Sequence, residues 1–499
     1  MSDLILVWSD VILDLAELLA DVTTPTYIVG GSVRDAIMRR PIKDVDIATA
    51  GSGIALGRKI ANRLKGDFFP LDPERDVGRA LVDTPDGRMI FDVARFRGAD
   101  LDADLRDRDF TINALAVDLL GDLQQVIDPL GGVRDLIDKR LRRCSPNAFS
   151  DDPIRVLRAV RQSVQFGFRI EPDTLRDARA AVPQITRTSP ERVRDEFMRI
   201  LSLPKPAAGL RIADGVGALA QIFPELAPLK GLPQSSPHVY DAWTHTLAVV
   251  ESMNDLLAVI SPTGAVDIAG QFSLGTLAVA LGRYRLNLQA RLEKTWADGR
   301  PHRALVLLAA LLHDVGKGIV DRVPDEETGR LRYAGHEEAG AVIVEGRVAD
   351  MHFSTAERDL VTAVVRHHVA PAVWMDDLSP LAIHRFWRTL GEAGIDVILL
   401  NLADYLGMVG ANVNQDRWLL AIENAQRLLG AYFDDYSRYV EPPVLINGSE
   451  LMRQLGLKPG PVIGELLERI RESQVSGEVL TLDDALSLAR RHLDGNHRA

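Results

Sequence analysis

At 499 residues the chain is too long for one core, and at roughly 100–200 residues per domain it predicts three or four units. A single cysteine, Cys144, excludes a disulfide framework, and the longest uncharged apolar run, residues 304–312, is far shorter than the roughly 20 residues that span a bilayer. The net charge of −12 excludes a protein that coats nucleic acid with its whole surface, but residues 131–205 carry sixteen Lys/Arg against ten Asp/Glu, a local basic stripe that can bind phosphate. Asp3 stands where a secretory leader would be positive, so a cytoplasmic location with no membrane partner is expected.

The first 120 or so residues alternate in strand fashion at "TYIVGG", "DVDIATA", "RALVDT", "RMIFDVARF" and "LQQVID", with helical stretches between them and a hairpin signal at "DTPDGR". This is an α/β unit with a small sheet. After "DPLGG" the alternation disappears and apolar residues recur at helical spacing, so the remainder is expected to be all-helical. Proline-containing breaks at "SLPKPAAG", "LKGLPQSSPH" and "YVEPPVLING" place boundaries near residues 205, 232 and 442, which gives units 1–140, 141–232, 233–440 and 441–499.

The stretch "YIVGGSVRDAIMRRPIKDVDIATA" carries the first chemistry. Asp44 and Asp46, at i and i+2 on a strand, point from one face and can share a hard divalent cation, which suits Mg²⁺. Gly30 and Gly31 let backbone N–H groups approach an anion, a helix opening at Ser32 aims its positive end there, and Arg34 adds a charge-assisted contact. Either element alone is usually a plain turn or a solvated strand end. In this order they resemble the signature of the class II tRNA nucleotidyltransferases and bacterial poly(A) polymerases, of the polymerase-β-like superfamily.

"DLRDRDFTINALAVD" is similar to that family's second motif, with Asp107 where an arginine is usual. The resemblance implies that Arg108, Asp109 and Asn113 contact the nucleotide's sugar and phosphates. "DDPIRVLRAVRQSVQFGFRI" resembles the base-selecting helix: Asp152 and Arg155, three apart, would share one helix face and read the base, with Arg158 near the triphosphate and Arg161 continuing the stripe. Asp92 on "IFDVARF" is a candidate third carboxylate. Where full CCA-adding members carry a longer loop rich in Arg and Pro, this chain has only residues 99–103, which favours addition of CC over CCA and, in that case, a separate A-adding enzyme as partner.

"HVYDAWTHTLAVV", "ALLHDVGKG", "AGHEEAGA", "RHHVAP" and "NLADYLG" lie in one helical region. An adjacent His-Asp with further His and Asp from other helices offers N and O ligands to one or two divalent transition ions. The ordered set resembles the HD phosphohydrolase superfamily. That resemblance implies His245, His313, Asp314 and Asp404 as core ligands and His336 and His368 as ligands of a second ion; His238 and His367 receive no role. It also implies phosphohydrolase activity.

The expectation is therefore an α/β polymerase-β-like nucleotidyltransferase head followed by an all-α neck, HD body and tail, acting on tRNA with CTP, with ATP as a further substrate if CCA is completed. The alternatives are a poly(A) polymerase, and an HD phosphohydrolase whose head serves only to bind RNA.

Overall fold

The structure, a computed structural model, describes residues 5–85, 87–261, 271–327 and 329–496; Asp3 and Asp86, used above, lie outside them. The chain divides into two compact units, Met1–Phe197 with Arg211–Ile222, and Met198–Leu210 with Phe223–Ala499. No helix among the described residues is long and apolar enough to cross a membrane.

The first unit is built on a seven-stranded sheet of β1 (Thr26–Val29), β2 (Asp44–Thr49), β3 (Asp67–Asp72), β4 (Val77–Thr84), β5 (Gly87–Arg95), β6 (Ala116–Asp118) and β7 (Val126–Ile127), in spatial order β3-β4-β5-β2-β1-β6-β7. Every neighbouring pair is antiparallel except β2 and β5. Their parallel register sets Asp46 beside Asp92. Ile28, Ile47, Phe91 and Val93 are buried beneath the sheet, which leaves the alternate positions of β2 for polar work.

Two strands were not expected. β3, "DFFPLD", contains Pro70, which reads as a strand breaker, but β3 is an edge strand where a missing N–H costs no ladder bond, and its register shifts between Pro70 and Asp72. β6 is three residues long, and Ala116 and Val117 are both buried, so it shows no alternation to read. The "DTPDGR" turn joins β4 to β5, whose pairing runs out to Thr84 and Gly87.

Beyond residue 130 the described strands are two residues long, Arg140–Leu141 paired with Arg169–Ile170 and Val323–Pro324 with Leu331–Arg332; the regular structure is otherwise helical. In the second unit the helix His302–Leu312 is buried all round except at Arg303, as its near-continuous apolar sequence requires. The C-terminal helices Gly448–Leu455, Pro461–Val475 and Leu482–Asn496 share a small core of Leu451, Leu466, Ile470 and Ala485. Gly456 closes the first of these in the left-handed conformation and Pro461 opens the second, as "LGLKPGP" predicts.

Candidate functional site

In the first unit β1 is followed by Gly30, whose φ of +76° only glycine adopts readily. A Cβ there would lie 2.6 Å from Arg108 Nη1 and 3.2 Å from Asp46 Oδ2. The helix that follows is Gly31–Ile37, starting one residue earlier than expected. Ser32, which sequence reasoning treated only as a helix start, ties that helix to β2: its hydroxyl donates to the Asp44 carbonyl at 3.1 Å and accepts from the Asp46 N–H at 3.0 Å. The signal was the serine directly after the glycine pair.

Asp46 lines a cleft of about 1440 Å³, and Asp44 is exposed at the start of the strand. Among the described residues neither makes an ion pair. Burial raises the Asp46 carboxyl above its usual range, Asp92 and Asp44 push the same way, and Arg108 and Arg97 oppose them. Unpaired hard oxygens crowded in this way fit a divalent cation such as Mg²⁺. Asp92 sits alongside but is already held by Arg79 through two bonds of 2.6 and 2.7 Å.

Behind the carboxylates lies a polar network. Arg34 bonds to Asp35 and Asn113 and rests over the Phe166 ring at 4.4 Å. Asn113 donates to Asp109 and to Gln162, a further network member that the sequence did not flag, and Arg158 donates to Asp109 at 2.8 Å. Burial would raise the Asp109 carboxyl, but Arg158, Asn113 and the Phe110 N–H hold it well below the usual carboxylate range. Arg108 donates twice to the buried Asp104.

The expected helix-face pair is corrected. Asp152 precedes the helix Arg155–Phe166 in extended conformation, because Pro153 follows it, so Asp152 and Arg155 do not share a helix face. Asp152 pairs with Arg192 at 2.8 Å. Arg155 is buried and donates to the carbonyls of Asp107, Arg108 and Ala148, and Arg161 pairs with Glu196.

In the second unit six side chains converge from separate elements: His245 from Ala242–Val259, His313 and Asp314 just after His302–Leu312, His336 at the start of His336–Asp350, His368 just past Thr355–Arg366, and Asp404 from Ala393–Val409. Asp314 is the hinge of the cluster. Its Oδ2 faces His245 Nε2 at 3.4 Å and His313 Nε2 at 3.3 Å, while its Oδ1 faces His336 Nε2 at 3.2 Å and His368 Nε2 at 3.6 Å. Two triads thus share one carboxylate. Asp404 stands 3.0 Å from His245 Nε2. Gly316 allows the turn after Asp314 to press onto the next helix, since a Cβ there would lie 2.0 Å from the His336 carbonyl oxygen.

The donor set fits divalent ions. His313, His336 and His368 each bind, through Nδ1, the carbonyl three residues earlier, at 2.8, 2.7 and 2.6 Å. Those bonds occupy Nδ1 and turn each Nε2 into the cluster. The Nε2 atoms of His336 and His368 face each other at 3.2 Å, two nitrogens that a shared cation would suit. Burial would neutralise Asp314, but His313 and Lys317 keep its carboxyl well below the usual range. His238 packs its ring edge against His245, with centroids 5.1 Å apart, and His367 belongs to neither triad.

A carboxylate-bearing polymerase-type head and a separate His/Asp centre define the class of chain. Family patterns agree: the "Poly A polymerase head domain" matches residues 26–142, the "HD domain" residues 274–408, and the second domain of tRNA nucleotidyltransferases residues 442–489. His245 lies ahead of the HD match. The A-adding tRNA nucleotidyltransferase of Deinococcus radiodurans is 30% identical over 93% of this chain and 94% of its own, and the CC-adding tRNA nucleotidyltransferase of Thermus thermophilus is 31% identical over 92% of each. A solved CCA-adding enzyme in complex with ATP shares the fold over 97% of this chain and 95% of its own, with a TM-score of 0.61 at 22% identity. The chain belongs to the tRNA nucleotidyltransferase family.

The two glycines separate by experiment. Gly30→Ala is expected to cost about 1–3 kcal/mol in backbone strain and to displace Arg108 from its pair with Asp104, lowering nucleotide addition at least about tenfold. Gly31→Ala, whose Cβ would meet Arg34 Nη2 at 3.2 Å and ask it to yield by only a few tenths of an ångström, should stay within about twofold in the same assay.

Proposed function

We propose that the head adds cytidylate from CTP to tRNA 3′ ends and stops at CC. The observation that carries nucleotidyl transfer is the unpaired Asp44/Asp46 pair beneath a cleft lined with arginines. Asp44 and Asp46 hold Mg²⁺, which when bound lowers the pKa of the attacking 3′-hydroxyl and neutralises phosphate charge. Arg108 and the backbone of Gly30 and Gly31 hold the triphosphate; Arg34, Asp109, Asn113 and Arg158 set the wall behind the sugar. Asp152 offers the base an acceptor edge, and Arg155 supports that edge from below through the carbonyls it binds.

Support for stopping at CC is local. β5 ends at Arg95 and the helix Leu101–Arg106, capped by Asp100, begins after five residues, too few for the long loop of full CCA-adding enzymes. The relatives do not decide, because an A-adding and a CC-adding enzyme are about equally similar. On this reading a separate A-adding enzyme completes the terminus, and the four-part division at residues 140, 232 and 440 is retained. A second activity is favoured by the two triads on Asp314, which suit a transition-metal phosphohydrolase acting on RNA 3′-end phosphates.

Incubation with Mg²⁺, CTP, ATP and tRNA ending at the discriminator base, followed by sequencing of the new 3′ ends, tests the head. Ends in CC are expected. Ends in CCA would overturn the stop at CC, and long adenylate tails would favour a poly(A) polymerase.

A further inference from the structure

Most guanidinium groups lining the head cleft are already engaged by the protein: Arg34 by Asp35 and Asn113, Arg108 by Asp104, Arg158 by Asp109, Arg155 by three carbonyls and Arg161 by Glu196. Arg97 differs. It stands just beyond β5, lines the same cleft, is half exposed, and meets only Asp107 Oδ2 at 3.6 Å and Asp104 Oδ1 at 4.0 Å, both outside hydrogen-bond reach. Its charge still reaches Asp46.

Asp107, by contrast, has a fixed backbone. It closes the helix Leu101–Arg106, and its carbonyl accepts from the buried Arg155 at 2.7 Å. A half-exposed carboxylate on a pinned backbone thus holds a half-exposed guanidinium loosely, beside the carboxylates that would carry the metal. A nucleoside triphosphate offers phosphate oxygens that a guanidinium binds in a bidentate fork, a stronger contact than the 3.6 Å pair it would replace.

We propose that Arg97 takes the phosphates of the incoming nucleotide and that Asp107 is the tether from which it is drawn. No covalent bond changes in this exchange; one ion pair replaces another. The buried Arg155 contributes by holding the tether in place. The inference rests on the nucleotidyl-transfer reading of the head.

The test is equilibrium binding of CTP with Mg²⁺, alongside steady-state addition to tRNA, in the full-length chain. Arg97→Ala should weaken CTP binding by about tenfold or more and raise KM for CTP, with kcat and KM for tRNA within about threefold; Arg97→Lys should recover part of the loss. Asp107→Asn should tighten CTP binding, and that gain should vanish in the double variant with Arg97→Ala. Unchanged CTP binding in Arg97→Ala, or a rise confined to KM for tRNA, would overturn the assignment. Failure of the unmodified protein to add any nucleotide would instead overturn the reading on which it rests.

Discussion

Replacing Asp44 and Asp46 together by alanine is expected to abolish nucleotide addition, by at least about three orders of magnitude, while leaving the His/Asp centre able to bind metal. The magnitude follows from losing several kcal/mol of charge stabilisation, with each 1.4 kcal/mol or so worth about tenfold. Among the described residues neither side chain is paired in the resting site, so their removal breaks no ion pair there and the fold should survive. Asp46 is the more informative single change, since burial already holds its carboxyl above the usual range and Asp46→Ala relieves that cost. Addition assays paired with thermal melts make the check. Residual activity within about tenfold of the unmodified protein would exclude the pair as the metal site.

Asp314→Asn is the converse case. The amide keeps the volume and can still accept from Lys317, but removes the only carboxylate shared by both triads. Metal affinity should fall by more than about 100-fold, the upper end for losing a residue that merely orients a ligand. Elemental analysis after loading with Zn²⁺, Mn²⁺ or Ni²⁺ reads this directly. Nucleotide addition should stay within about twofold. Unchanged metal content would show that the bridging carboxylate does not anchor the ions.

The parts of both sites legible in the sequence were those carried by residue type at short spacing. Asp44 and Asp46 lie on a strand of period 2, and His313-Asp314 are adjacent, so local geometry fixed their relation before any tertiary contact. What escaped depended on neighbours far along the chain. Asp152 and Arg155 have helical spacing, but Pro153 holds Asp152 out of the helix, and the carbonyls of residues 107 and 108 claim the guanidinium. The roles of Ser32 and Gln162 could not be read because each acts by bridging segments 12 to 53 residues apart. β3 escaped because the proline that argues against a strand is harmless at an edge.

That edge has a further consequence. β3 ends the sheet on one side with a proline and a register shift, and the other side ends in the two-residue β7, flanked by bonds from Leu6 to Gln124 and from Trp8 to the Leu123 carbonyl. Neither margin offers a long flat row of free peptide groups, so an extended chain from another protein finds no template for joining the sheet. The head is thereby kept from zipping onto extended polypeptide, and its aggregation resistance is predicted to reside at those two margins.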